Sequence, residues 1–224
     1  MTFQNVIFDM DGTLFETERH WRRSQLEAIE EAYSFTVPEA QREKLYGMWH
    51  SELLEYIEKE YGFRPERDRY AAKMWETMGG FYQTADMKEM PGAVNFVRTL
   101  KENGVPIAVA TSTGRRLTEP FLRRVGILPY IDAVFTTEQT KRGKADGADV
   151  YDLALAALGG TKENTIVFED NPDCIRTCLA ASYRVIAVAN AQLDALWEKQ
   201  PLAVEKRIRS YDEVWRDYEL QRVK

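Results

Sequence analysis

Two carboxylates stand two residues apart at the end of an apolar run, Val6-Ile7-Phe8-Asp9-Met10-Asp11-Gly12-Thr13-Leu14. Alternate residues of a strand share a face, so Asp9 and Asp11 could address one reacting atom. Gly12 and Thr13 then turn the chain, as expected where a buried strand delivers a site at its carboxyl end. Asp and Gly at a strand end also build plain turns and calcium loops. A calcium loop of the EF-hand kind would need further oxygen ligands at regular spacing, whereas Thr13, Leu14 and Phe15 follow at once.

Other strand ends offer partners for this pair. The run Ile107-Ala108-Val109-Ala110 ends in Thr111-Ser112-Thr113-Gly114, whose hydroxyls and amides could hold a phosphate. Taken alone, that turn reads better as a helix N-cap. Ile166-Val167-Phe168 runs into Glu169-Asp170-Asn171-Pro172-Asp173, acids that would repel one another if buried without a cation. A hard divalent ion such as Mg2+, which favours carboxylate, water and phosphate oxygens, would satisfy them. Without an ion, Asp170 and Asp173 could cap the next helix. Gly143-Lys144 stands before a helical stretch and offers a compact positive charge for phosphate or carboxylate, although a lone lysine is as a rule a solvated surface group.

The elements that must position these residues fall into two patterns. From Glu16 to about Gln83 the periodicity is helical, with Leu26, Ile29 and Tyr33 on one stripe and Leu53, Leu54 and Ile57 on another. Gly47 and Gly62 suit helix ends and Pro38 and Pro65 suit helix starts, which gives about four helices. From Pro91 onward helices alternate with short apolar strands, expected at residues 106–111, 131–135, 165–168, 184–188 and 204–208. A first strand at residues 4–9 belongs with them. The expectation is an α/β core of residues 1–15 and 87–224, a parallel sheet covered by helices on both faces. A helical bundle of residues 16–86 is inserted into it directly after Asp9 and Asp11, as a movable lid or as mere decoration.

Composition sets the outer bounds. With 224 residues and 44% hydrophobic content the chain fills one large domain, or a core plus a smaller unit. Thirty basic against 36 acidic residues, a formal charge of -6, argue against a broad nucleic-acid surface and leave room for a local basic pocket. No run of about 18 apolar residues and no signal-type segment occurs, so neither a membrane span nor export is expected, and a cytoplasmic location is. Cys174 and Cys178, four apart on an expected helix without a neighbouring histidine, read as buried packing thiols.

In their order along the chain, these motifs resemble the haloacid dehalogenase-like (HAD) superfamily, over nearly the whole sequence. The inserted helices are similar to the helical C1 cap of subfamily I, the subgroup of phosphoglycolate phosphatases and beta-phosphoglucomutases. The resemblance implies a Rossmann-like core and a division of labour. Asp9 would be the nucleophile and form an aspartyl phosphate; Asp11 would be the general acid, then the base. Mg2+ would bind Asp9, the backbone carbonyl of Asp11 and Asp170, with Glu169 in support. Thr111, with the amides of Ser112 and Thr113, would hold phosphoryl oxygens, and Lys144 would stabilise the charge shared by Asp9 and phosphate. Members that cleave carbon–halogen bonds lack the second aspartate, so Asp11 favours phosphoryl transfer.

Departures from the family pattern leave some assignments open. The stretch Gly143-Lys144-Ala145-Asp146-Gly147-Ala148-Asp149 is one residue longer than usual and lacks prolines, which makes Lys141 a competitor of Lys144. Cys174 and Ser182 stand where glycine is frequent, and both read as packing changes. The expected substrate is a small phosphorylated metabolite, a sugar or organic phosphate monoester, and a monomer is the default state. A beta-phosphoglucomutase-like isomerase is the runner-up, although the hinge histidine of those enzymes falls on Trp21, one after His20. A non-catalytic phosphate-binding protein is the third reading, and no chemical group is missing to support it. Specificity candidates in the inserted unit are Glu18, His20, Trp49 and His50; Glu18 also reads as a solvated first-turn acid, and Trp49 as packing between helices.

Overall fold

A computed structural model of the chain describes residues 2–46, 50–62, 66–191, 193–199, 201–215 and 219–220. The chain forms two compact units, Met1–Glu16 with Met87–Lys224, and Thr17–Asp86.

The first unit holds a six-stranded parallel sheet. Its strands are β2 (Asn5–Phe8), β3 (Ile107–Thr111), β4 (Ala133–Thr136), β5 (Thr165–Glu169), β6 (Arg184–Val188) and β7 (Lys206–Ile208), in the order β4-β3-β2-β5-β6-β7. A short parallel pair, β1 (Thr2–Phe3) with β8 (Glu219–Leu220), lies apart from it. Every residue of β2, β3 and β5 is buried, as required of central strands covered on both faces. Six helices accompany these strands among the described residues: α5 (Ala93–Glu102), α6 (Arg115–Arg124), α7 (Asp149–Leu158), α8 (Pro172–Ala180), α9 (Asp194–Lys199) and α10 (Asp212–Trp215). The aromatic centre of the core is Phe8, stacked on Phe168 at 4.9 Å and edge-on to Phe96 at 6.1 Å.

The chain leaves β2 for β3 and β4 on one side and returns for β5 on the other, so the order reverses beside β2. Ligands of open α/β sheets bind where the carboxyl ends of such strands diverge. Register brings the three ends level: Phe8 pairs with Val109 and with Phe168, so Asp9 follows alongside Ala110 and Glu169.

The second unit contains α1 (Glu18–Ala32), α2 (Glu39–Tyr46), α3 (His50–Tyr61) and α4 (Arg67–Thr84). Leu26, Ile29, Leu53, Leu54 and Ile57, on the stripes legible in the sequence, share its core with Tyr70 and Met74, and Tyr33 packs against them partly buried. Gly62, at φ 70°, ends α3, whereas Gly47 and Pro65 lie outside the described residues. No described helix is long and apolar enough to cross a membrane.

Cys174 and Cys178 are free, buried thiols on α8. Ser182 needs a different account from packing. It is exposed and holds φ 65°, the left-handed conformation that ends the turn before β6, which is why glycine suits the position.

Candidate active site

Asp9 follows β2 directly, its N–H donating to the Phe168 carbonyl at 2.9 Å, so strand pairing aims its side chain. Asp9, Glu169 and Asp170 are all buried, and each offers a carboxylate oxygen within 4.8 Å of the others. Lys144 reaches this cluster from the loop before α7 and is itself only 3% exposed. Its Nζ pairs with Asp9 Oδ1, lies 2.8 Å from Glu169 Oε2 and donates to the Ala110 carbonyl at 3.0 Å. Lys141, the alternative lysine, is exposed. The Tyr151 ring lies 5.2 Å from Lys144 Nζ, and its hydroxyl donates to Glu169 Oε2 at 2.7 Å.

Electrostatics follow from this crowding. Burial above all, then Glu169 and Asp11, pushes the Asp9 carboxyl up to about 8, against the opposing pull of Lys144. Burial works against the Lys144 ammonium too, but Asp9 and Glu169 outweigh it and hold the group well above the usual lysine range. Three buried carboxylates against one ammonium leave negative charge uncompensated. An all-oxygen donor set with that imbalance fits a hard divalent cation.

Asp11 is set apart from the buried cluster. It is half-buried, and its Oδ2 accepts from Thr113 Oγ1 at 2.7 Å. Thr113 N–H in turn donates to Thr111 Oγ1 at 3.1 Å, while Ser112 is exposed. The helix-cap reading of this turn is therefore corrected: the N-cap of α6 is Gly114, which caps with no side chain, and Glu138 Oε2 accepts from Arg115 N–H instead. The cap alternative for the acidic stretch fails likewise, because Asn171 caps α8 by accepting from Asp173 N–H at 2.9 Å. Thr111, Thr113, Lys144, Asp9, Glu169 and Asp170 thus all stand at the carboxyl ends of β2, β3 and β5 or in the loop before α7.

Three contributors escaped the sequence reading. Thr13 Oγ1 donates to Asp170 Oδ1 at 3.2 Å, Asn190 Nδ2 donates to Asp170 Oδ2 at 2.9 Å, and Tyr151 holds Glu169. Asn190 was accessible by the strand-end rule that found the others, since it follows β6; Tyr151 sits inside a helix and gives no local signal. Gly12 is obligatory here: at φ 77°, a Cβ would collide with the Asp170 carboxylate and stand 3.0 Å from Asn190 Nδ2.

The remaining candidates lie in the second unit. Glu18 and His20 occupy the first turn of α1, half-buried, with His20 Nε2 accepting from Arg19 Nε at 3.2 Å and its ring 4.8 Å from Phe81. Burial first, then Arg19 and Arg23, holds His20 below the usual histidine range. Trp49 lies outside the described residues, and of His50 only the backbone, at the start of α3, is described.

Comparison with known proteins agrees with this geometry. The chain is 28% identical over 204 residues to a phosphorylated carbohydrates phosphatase of Thermotoga maritima, covering 90% of this chain and 93% of that one. It is 28% identical over 203 residues to hexitol phosphatase A of Escherichia coli, covering 87% and 86%. Among solved structures, CbbY of Rhodobacter sphaeroides in complex with phosphate shares the fold with a TM-score of 0.77 at 21% identity, covering 95% and 96%. The sequence pattern described as haloacid dehalogenase-like hydrolase matches residues 6–188, which contain every residue of the acidic cluster and its partners named above except Asn190. The order of strand ends, the buried acids and this match have one reading: the chain belongs to the haloacid dehalogenase-like hydrolases.

Proposed function

We propose that the chain is a Mg2+-dependent phosphatase that hydrolyses small phosphorylated metabolites, phosphorylated sugars or sugar alcohols foremost, through an aspartyl-phosphate intermediate. The observation that carries this reading is the Asp9 carboxylate, buried at a strand end between Lys144, Glu169 and Asp170. The names of the Thermotoga and Escherichia relatives support the substrate class.

Asp9, the Asp11 carbonyl and Asp170 would hold Mg2+ with Glu169 in support; when bound, the ion supplies positive charge where an anionic ester meets an anionic nucleophile. An Asp9 oxygen attacks phosphorus, the bond from phosphorus to the ester oxygen breaks, and Asp11 gives that oxygen its proton. Water then attacks the aspartyl phosphate, Asp11 takes its proton, and phosphate leaves as Asp9 is restored. Thr113, bonded to the Asp11 carboxylate, orients it for both transfers. Lys144 stays charged throughout and balances Asp9 as negative charge builds on the phosphoryl group. Thr111 and the amides of Ser112 and Thr113 are assigned to the phosphoryl oxygens.

The test is Asp9→Asn assayed with a generic phosphate ester and with a panel of sugar and polyol phosphates. Release of phosphate should fall at least about 10^3-fold while the folded state persists. Undiminished turnover would refute the nucleophile assignment. A sugar phosphate returned with its phosphate moved, and no free phosphate, would replace the phosphatase by a mutase.

A further inference from the structure

We propose that Asn190 is a positioning residue for the acidic cluster: its side-chain amide, together with Thr13, locks the Asp170 carboxylate in the orientation that receives a divalent cation. The inference rests on the metal-dependent reading above and adds to it a residue that lies beyond the matched residues 6–188.

A free aspartate does not hold one carboxylate orientation, because rotation about its last bond is broad and nearly two-fold. Asp170 is denied that freedom from two directions. Thr13 Oγ1, four residues after Asp9, donates to Oδ1 at 3.2 Å, and Asn190 Nδ2, beyond the end of β6, donates to Oδ2 at 2.9 Å. An ionised carboxylate only accepts, so the amide must present its NH2 to Asp170, and that settles which way Asn190 points. The close approach of Gly12 seals the arrangement, since the space where its Cβ would stand is already taken by Asp170 and Asn190.

Asn190 is itself held firmly. It is 8% exposed, its carbonyl accepts from Leu193 N–H at 2.8 Å, and the preceding Ala189 N–H donates to Ile208 of β7 at 2.7 Å. The clamp on Asp170 thus reaches through β6 and β7, away from the β2–β3 side where Asp11 and Thr113 lie. Hydrogen-bond partners of this kind around metal-binding side chains are worth about 10–100-fold in metal affinity. Their loss scatters the carboxylate without removing it.

The experiment is calorimetric titration of Mg2+ into substrate-free protein, wild type against Asn190→Leu, close in shape but without donors, and Asn190→Ala. Both variants should bind Mg2+ at least about 10-fold more weakly, and the Mg2+ concentration for half-maximal turnover should rise by the same factor while kcat at saturating Mg2+ is largely recovered. Mg2+ affinity within about twofold of wild type in a folded variant would overturn the assignment, as would lost kcat with an unchanged Mg2+ requirement. If the leucine variant fails to fold, the alanine variant decides. A wild-type protein that binds no Mg2+ would instead remove the metal-dependent reading itself.

Discussion

Two strands of one sheet end in a pair of acids, and the fold treats the pairs differently. After β2, Asp9 is buried against Lys144, whereas Asp11 stays half-buried and takes a hydrogen bond from Thr113. At the end of β5 both acids are buried and held from several sides: Glu169 by Tyr151, Lys144 and the Asn171 N–H, Asp170 by Thr13 and Asn190. The difference goes with distance from the strand end: Asp9 directly follows β2 and Asp11 lies two residues further on, whereas Glu169 is the last residue of β5 and Asp170 the next. A pair buried on all sides suits a constant electrostatic task, and a pair with one member at the edge of the core suits proton transfer.

The comparison breaks most severely if the shared counter-charge is removed. In Lys144→Met, Asp9 and Glu169 would face each other uncompensated in the core, and losing one partner of a buried pair costs about 3–5 kcal/mol. Urea denaturation of the metal-free variant at pH 8 should show that loss, with a smaller one at pH 5, where Asp9 carries its proton. Turnover should fall at least about 10^2–10^3-fold. Stability unchanged at pH 8 would mean that Lys144 does not balance the cluster.

A milder blow falls on the half-buried member of the first pair. Asp11→Asn keeps the Thr113 contact possible and leaves the buried cluster intact, so folding and Mg2+ affinity should persist. Turnover of an alkyl phosphate should drop about 10^2–10^4-fold. With a p-nitrophenyl ester, whose leaving group needs no proton, the first step should suffer much less. Equal losses on both esters in that first step, read as alcohol or p-nitrophenol released in a single turnover, would count against Asp11 as the acid.

The sequence carried the sheet to within a residue or two, because central parallel strands are uninterrupted apolar runs, and the acids Asp9 and Asp170 stood out because they follow such runs abruptly. Val6-Ile7-Phe8 and Ile166-Val167-Phe168 could be read as neighbours in function before they were known to pair in register. Grips between distant segments were not legible. Thr13 and Asn190 meet at Asp170 across 157 and 20 residues, and Tyr151 meets Glu169 across 18. No local periodicity encodes such meetings. Helix caps misled in the same way: Thr111 to Thr113 have the composition of a cap, yet Glu138, 23 residues past Arg115, supplies it from another segment.

The last effect separates the two pairs by pH. In the metal-free protein Asp9 titrates at about 8, raised from an ordinary value of 3.8, chiefly by burial. Between those values the folded state holds a proton that the unfolded chain has already released. The stability due to this group is therefore fully present below about pH 4 and is lost as pH rises through about 8, by at most about 1.4 kcal/mol per pH unit. Thermal unfolding in chelator should show a midpoint that declines from pH 5 to 8. Asp9→Asn, which cannot titrate, should flatten that decline, and added Mg2+ should raise the wild-type midpoint more at pH 8 than at pH 5. A decline that survives in the Asn variant would place the titrating group elsewhere and erase the contrast drawn between the acids of β2 and β5.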